Sequence, residues 1–153
     1  MNMNKKEWGN AMWYFIHTFS HKLKDEYSDK ANEIISLYYN LCINTPCPYC
    51  SDHAKDMFNK LNMNLIKNKQ DLIRVMFEFH NIVNVRLNKK VFTLEELNEK
   101  YKRANTLNIA NHFFHVMNKK IHDERAMIYT LNRKIAVKNM YDYVHKNNHY
   151  FIP

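Results

Sequence analysis

Apolar residues recur every three to four positions over several long stretches of this chain, the spacing of helices that bury one face. Over residues 7–23, Phe15, Phe19 and Leu23 form one stripe, while Gly9, Trp13 and His17, four apart, share another face. Residues 28–42 read as a second helix, with Ser28 or Asp29 as N-cap and Ile34, Ile35, Leu37, Tyr38 and Leu41 along the apolar face. A third helix over 47–60 turns Ala54, Met57, Phe58 and Leu61 inward, and the polar stretch 62–68 reads as a loop. Leu72, Ile73, Val75, Met76, Phe79, Val83 and Leu87 repeat at helical spacing over 69–87. Thr93 with Glu96 three residues on is a capping-box pattern that starts a short fifth helix. Two further helices, 106–120 and 124–147, complete the pattern.

The predicted fold is therefore all-α: a four-helix bundle, a short fifth helix and a C-terminal helical extension. Composition supports it. With one glycine and three prolines in 153 residues, tight hairpin turns are scarce, and 46% hydrophobic residues suffice for a core. The composition shifts after Tyr101: residues 104–153 hold seven Lys/Arg against three Asp/Glu and five of the nine His. That shift divides the chain into a core, 1–103, and an extension, 104–153. The formal net charge of +8 is spread along helix faces rather than blocked, so no nucleic-acid partner is expected. No run of 18 apolar residues exists, so no membrane span is expected, and Met1 to Glu7 lacks the apolar centre of a signal peptide. The expected location is cytoplasmic.

The chemistry centres on Thr45-Pro46-Cys47-Pro48-Tyr49-Cys50. Pro46 discourages a helix from running through, and Pro48 suits the first turn of a new one. A helix starting there points free N–H groups at the sulfurs and favours a thiolate, the form that exchanges with disulfides. The same spacing also serves zinc sites, and Cys42, Cys47, Cys50 and His53 would satisfy the ligand count. Elsewhere, His80 and Asn84 share a face one turn apart, with Asn81 alongside and Lys89 at the helix end. Together with Trp13 and His17 they could grip a large planar ligand with ring nitrogens, ribose and phosphate, and a flavin suits such a lining.

These pieces together resemble the Erv/ALR family of FAD-linked sulfhydryl oxidases. Gly9-Asn10-Ala11-Met12-Trp13-Tyr14-Phe15-Ile16-His17-Thr18 resembles the family's G-x-x-x-W-x-x-x-H-T, and Pro46 to Cys50 resembles P-C-x-x-C. His80-Asn81-Ile82-Val83-Asn84-Val85-Arg86-Leu87-Asn88-Lys89 resembles H-N-x-V-N-x-x-L-x-K. Phe92 follows at the expected place, and Tyr101 stands where the family often has Trp. The resemblance covers residues 7–101. It implies an FAD-binding helical bundle that oxidises thiols of protein substrates to disulfides and reduces molecular oxygen to hydrogen peroxide, usually as a homodimer. It implies that Cys47 and Cys50 form the redox disulfide, with Cys50 against the flavin and Cys47 exchanging with substrate. The implied cofactor-lining residues are Gly9, Trp13, His17, Phe77, His80, Asn81, Val83, Asn84, Leu87, Lys89, Lys100 and Tyr101, with no metal site. Asn10 stands where some relatives have Arg. A second cysteine pair is missing, and nothing after about residue 104 matches. The reduced cysteine set resembles that of short viral members, which implies work in the host cytoplasm or virion, in disulfide formation of virion proteins.

Two rival readings are kept. A glutaredoxin-like reductase without flavin needs a preceding strand and several glycines, which this chain lacks. A zinc-stabilised binding module leaves the His80–Lys89 motif unexplained. Cys42, between Leu41 and Ile43, reads as a buried thiol rather than a redox partner. His112 and His115 read as a solvated pair, and Phe113, Phe114, Tyr129, Tyr141 and Tyr143 as packing residues. The extension is expected to cover apolar surface of the core, or to reinforce a dimer, away from the cofactor.

Overall fold

The computed structural model describes residues 4–119 and 130–153. Among these residues seven α-helices follow in order: α1 (Lys5–Lys22), α2 (Ala31–Cys42), α3 (Pro48–Asn59), α4 (Lys69–Arg86), α5 (Leu94–Lys102), α6 (Thr106–Met117) and α7 (Thr130–Lys146). The fold is all-α. Leu23 and Phe151 form an isolated antiparallel bridge, and no strand occurs among the described residues.

Side-chain caps fix several helix starts. Asn4, Asn68, Thr93 and Asn105 each accept the backbone N–H three residues on, at 2.9, 2.9, 3.1 and 2.9 Å. The start of α2 differs from the reading that gave it Ser28 or Asp29 as cap. A 3-10 turn, Asp25–Lys30, runs directly into α2, whose own N-cap position, Lys30, makes no side-chain cap bond. The Ser28 hydroxyl instead accepts the N–H of Lys69 at 2.8 Å, so it serves the start of α4. The stretch 62–68 is also more than a polar loop: Met63–Leu65 form a 3-10 turn and Ile66 is buried in the core. The helix expected over 106–120 ends at Met117, and residue 120 lies outside the described residues, as do 124–129 of the last expected helix.

One continuous core joins the helices. Phe15, Ile16 and Phe19 of α1, Ile34, Ile35 and Tyr38 of α2, Ala54 and Phe58 of α3, and Leu72, Met76 and Phe79 of α4 are buried together. Leu87, at the end of the α4 apolar pattern, is exposed. The segment after residue 104 enters the same core. Phe113 stacks on Phe15 with ring centroids 4.2 Å apart, Phe114 meets Phe15 edge-on at 5.5 Å, and Phe151 meets Phe19 at 4.8 Å. α6 thus covers the Phe15–Phe19 stripe of α1, while α7 packs on α2. Of the other tail aromatics, Tyr143 packs against the core, Tyr141 is exposed rather than buried, and Tyr129 lies outside the described residues. His112 and His115 are exposed.

Candidate active site

The dithiol segment is held by two hydroxyls. Thr45 is buried; its N–H donates to the Ser51 Oγ at 2.9 Å, and the two hydroxyl oxygens lie 2.7 Å apart. Thr45 Oγ1 also donates to the Cys47 carbonyl at 3.0 Å. This brace sets the chain turning into α3, which begins at Pro48 with Cys47 as N-cap. Cys47 and Cys50 are joined as a disulfide, with Cα atoms 5.2 Å apart. The Cys50 N–H donates to Cys47 Sγ at 3.2 Å, so the open start of α3 faces that sulfur. With these two sulfurs bonded to each other and Cys42 buried, its thiol pushed up to about 12 by burial, the zinc reading is not favoured.

Behind the disulfide opens a cavity of about 620 Å³ between α1, α3, α4 and the residues that follow α4. Cys50 lines it and Cys47 does not. Of the residues expected around a cofactor, Gly9, Trp13, His80, Val83, Asn84, Leu87, Lys89 and Lys100 line the wall. Space is open at Gly9, where an added Cβ would meet nothing within 4 Å. Trp13 stacks on His80 with centroids 4.0 Å apart and planes 5° from parallel.

His17, Phe77, Asn81 and Tyr101 are not on the wall, and each has a positional reason. His17 is 1% exposed and lies behind His80, with Nε2 2.9 Å from His80 Nδ1. Tyr101 packs against His17 at 5.1 Å. Phe77 packs on Phe92 at 5.8 Å. The Asn81 carboxamide is engaged by Phe92: Nδ2 donates to its carbonyl at 2.8 Å and Oδ1 accepts its N–H at 3.2 Å. Asn81 thereby ties the segment after α4, which carries Lys89 and Lys90, back to the helix. In that segment Asn88 adopts a positive φ of 55°, a conformation asparagine tolerates.

Electrostatics keeps the paired imidazoles neutral. Burial, then the charges of Lys100 and Lys89, bring His80 down to about 3. Burial first, then His80, His21 and Lys100, hold His17 well below its ordinary value. One hydrogen bond joins the pair, and His17 Nδ1 is buried without a partner among the described residues.

Several wall residues were not expected at a cofactor from the sequence. Trp8, Tyr49 and His53 line the cavity, as do Lys5, Lys6, Arg86 and Lys90, and Phe92, matched to the family pattern, joins them. His53 lies one turn past Cys50 on α3, a spacing that puts both on one face and that could have flagged it. The Arg86 guanidinium lies over the Tyr49 ring at 5.0 Å.

A helical bundle that sets a redox-active disulfide at a helix start against a large aromatic and cationic cavity is the architecture of a cofactor-linked dithiol oxidoreductase. The chain belongs to the Erv1/Alr family, whose family model matches residues 10–102. Among its relatives, a protein of Invertebrate iridescent virus 3 assigned as an FAD-linked sulfhydryl oxidase is 29% identical over 104 residues, 67% of this chain and 70% of the relative. The FAD-linked sulfhydryl oxidase of an African swine fever virus isolate is 32% identical over 98 residues, 63% of this chain and 82% of the relative. The FAD-linked sulfhydryl oxidase ERV1 of Oryza sativa subsp. japonica is 26% identical over 103 residues, 65% of this chain and 51% of the relative. Several of the relatives are viral, in line with the expectation of a viral member. No solved structure matches the chain significantly.

Proposed function

We propose that this chain is an FAD-linked thiol oxidase that converts pairs of protein thiols to disulfides. The observation that carries the reading is the position of the Cys47–Cys50 bridge, with Cys50 on the wall of the cavity and Cys47 outside it. The cavity fits the cofactor. It has open space at Gly9, a flat Trp13–His80 stack backed by His17, and lysines with no described carboxylate on the wall. Trp13, His80, Val83, Asn84 and Leu87 would hold the ring systems, and Lys89 and Lys100 the diphosphate. His17, Phe77, Asn81 and Tyr101 would support them from behind. Bound FAD would supply a two-electron acceptor beside Cys50 and pass the pair on to molecular oxygen, giving hydrogen peroxide.

The chain's own residues carry the thiol chemistry. A substrate thiolate attacks Cys47 Sγ, the Cys47–Cys50 bond breaks, and Cys50 leaves as a thiolate. The second substrate thiolate then attacks its partner's sulfur in the mixed disulfide and releases Cys47 as a thiolate. The substrate has lost two electrons and two protons, and the chain holds a dithiol. The N–H groups at the start of α3 stabilise the thiolate on Cys47. The brace of Thr45 and Ser51 keeps that start in place.

Every described cavity residue lies at or before Lys100, which supports a core of 1–103 and an extension, 104–153, that packs without touching the cofactor. Homodimer assembly is part of the proposal, through faces other than those α6 and α7 cover on α1 and α2. No helix among the described residues is long and apolar enough to cross a membrane, and we place the activity in the host cytoplasm or virion. The test is oxygen consumption with dithiothreitol, run beside the visible spectrum of the purified protein. Yellow protein that consumes oxygen supports the reading; colourless protein without turnover refutes it.

A further inference from the structure

The cavity rim carries a strong charge asymmetry. Lys5, Lys6, Arg86, Lys89, Lys90 and Lys100 line it, and no Asp or Glu among the described residues does. The described ion pairs join Lys30 to Glu33, Lys69 to Asp25, Arg103 to Glu99, Lys119 to Glu7 and Lys138 to Asp142, so none of the six is among them. Glu7, the acidic residue nearest Lys5 and Lys6 in sequence, is turned to Lys119 after α6. A dinucleotide diphosphate offsets only two of the six charges, so most of the excess remains with the cofactor bound.

Part of that excess adjoins the disulfide. Tyr49, between the two cysteines, is 64% exposed and carries Arg86 against its ring. Along α4, Ile82, Val85 and Arg86 fall on one side of the helix, with Lys89 following at its end. Ile82 and Val85 are 48% and 65% exposed. The result is a surface of exposed apolar side chains and unpaired cations beside the sulfur that meets substrate. The opposing charges nearby are few: Asp52 and Asp56 on the exposed side of α3, and Glu78 one turn before Ile82.

We infer that the preferred thiol substrate is an acidic polypeptide segment, whose carboxylates meet the Lys5, Lys6, Arg86 and Lys90 cations while an apolar side chain packs on Tyr49, Ile82 and Val85. This rests on the thiol-oxidase reading, and adds the substrate class to it. A field of one sign over a cleft raises the encounter rate of the opposite charge and falls with ionic strength.

The test uses the full-length, flavin-bound protein and two dithiol peptides, identical except for glutamates or lysines flanking the cysteines. Oxygen consumption gives kcat/KM for each. The expected result is a preference of about tenfold for the acidic peptide at low salt, within the range of electrostatic steering. The preference should shrink towards unity at about 1 M salt, where screening extends only about 3 Å. In the Lys5→Glu, Lys6→Glu double variant the acidic-to-basic ratio should fall several-fold, a readout that loss of active enzyme does not move. Equal rates at low salt, or a preference indifferent to salt, overturn the inference while leaving oxidase activity standing. Inhibition of peptide turnover by a single-stranded oligonucleotide as strong as that by a cysteine-free acidic peptide also overturns it, in favour of a nucleic-acid surface. Absence of turnover with dithiothreitol overturns the oxidase reading and this inference with it.

Discussion

Acid should destabilise this protein through the His17–His80 pair, and the effect can be worked from the site. In the unfolded chain both imidazoles titrate near 6.5; in the fold His80 titrates at about 3 and His17 well below its ordinary value. Between those limits the unfolded state binds more protons than the folded state, so stability rises with pH and is lost as pH falls below 6.5. Each imidazole held neutral costs about 1.4 kcal/mol for every pH unit below that point. At pH 5 this is about 2 kcal/mol for His80, and His17 adds to the loss in the same direction. That is a large share of the roughly 5–15 kcal/mol by which domains are stable. Urea unfolding at pH 7 and pH 5 measures the loss. In His80→Gln the contribution of His80 is gone, so the loss between those pH values should shrink by about 2 kcal/mol. An identical loss in the variant and the parent, or a parent whose midpoint does not move between pH 7 and pH 5, would refute the reasoning.

Three other outcomes are expected. Phe15→Ala removes a fully buried ring packed on Phe19, Phe113 and Phe114, and should cost about 3–5 kcal/mol by urea unfolding; a cost under about 1 kcal/mol would mean that α6 does not seal α1. Cys42→Ser should retain dithiothreitol turnover, since burial raises that thiol to about 12, whereas Cys47→Ser and Cys50→Ser should each abolish it; equal losses in all three would assign Cys42 a redox role. Asn81→Ala leaves both backbone groups of Phe92 without their partner, so it should cost about 1–3 kcal/mol and weaken flavin retention. Asn81→Asp keeps only an acceptor and should fail to rescue, which equilibrium dialysis of flavin would show.

Periodicity located the helices because each buries one face, and a single stripe such as Phe15–Phe19–Leu23 is enough to reveal that. The dithiol was equally legible, since Pro48, Cys47 and the start of α3 all lie within one turn. What escaped depends on parts of the chain meeting only in the fold. Ser28 looked like the cap of the nearest helix, but its hydroxyl serves Lys69, 41 residues on. Asn81 is expected at the cofactor from the family motif, and its carboxamide also binds the backbone of Phe92, a partner that α4 spacing could not locate. The cationic rim draws on the start of α1, the end of α4 and α5, and no local window holds more than a part of it. His53 was weighed only as a metal ligand, because nothing in sequence placed Arg86 beside it.

The chain contains two tryptophans, Trp8 and Trp13, and both line the cavity behind the disulfide. Indole emission from this protein therefore originates beside the proposed cofactor position, with no distant indole to blur it. A yellow chromophore seated there would absorb that emission, so the empty protein should glow and the loaded protein stay dim. The molecule carries its own optical gauge, able to report filling, release and unfolding in a cuvette without any label.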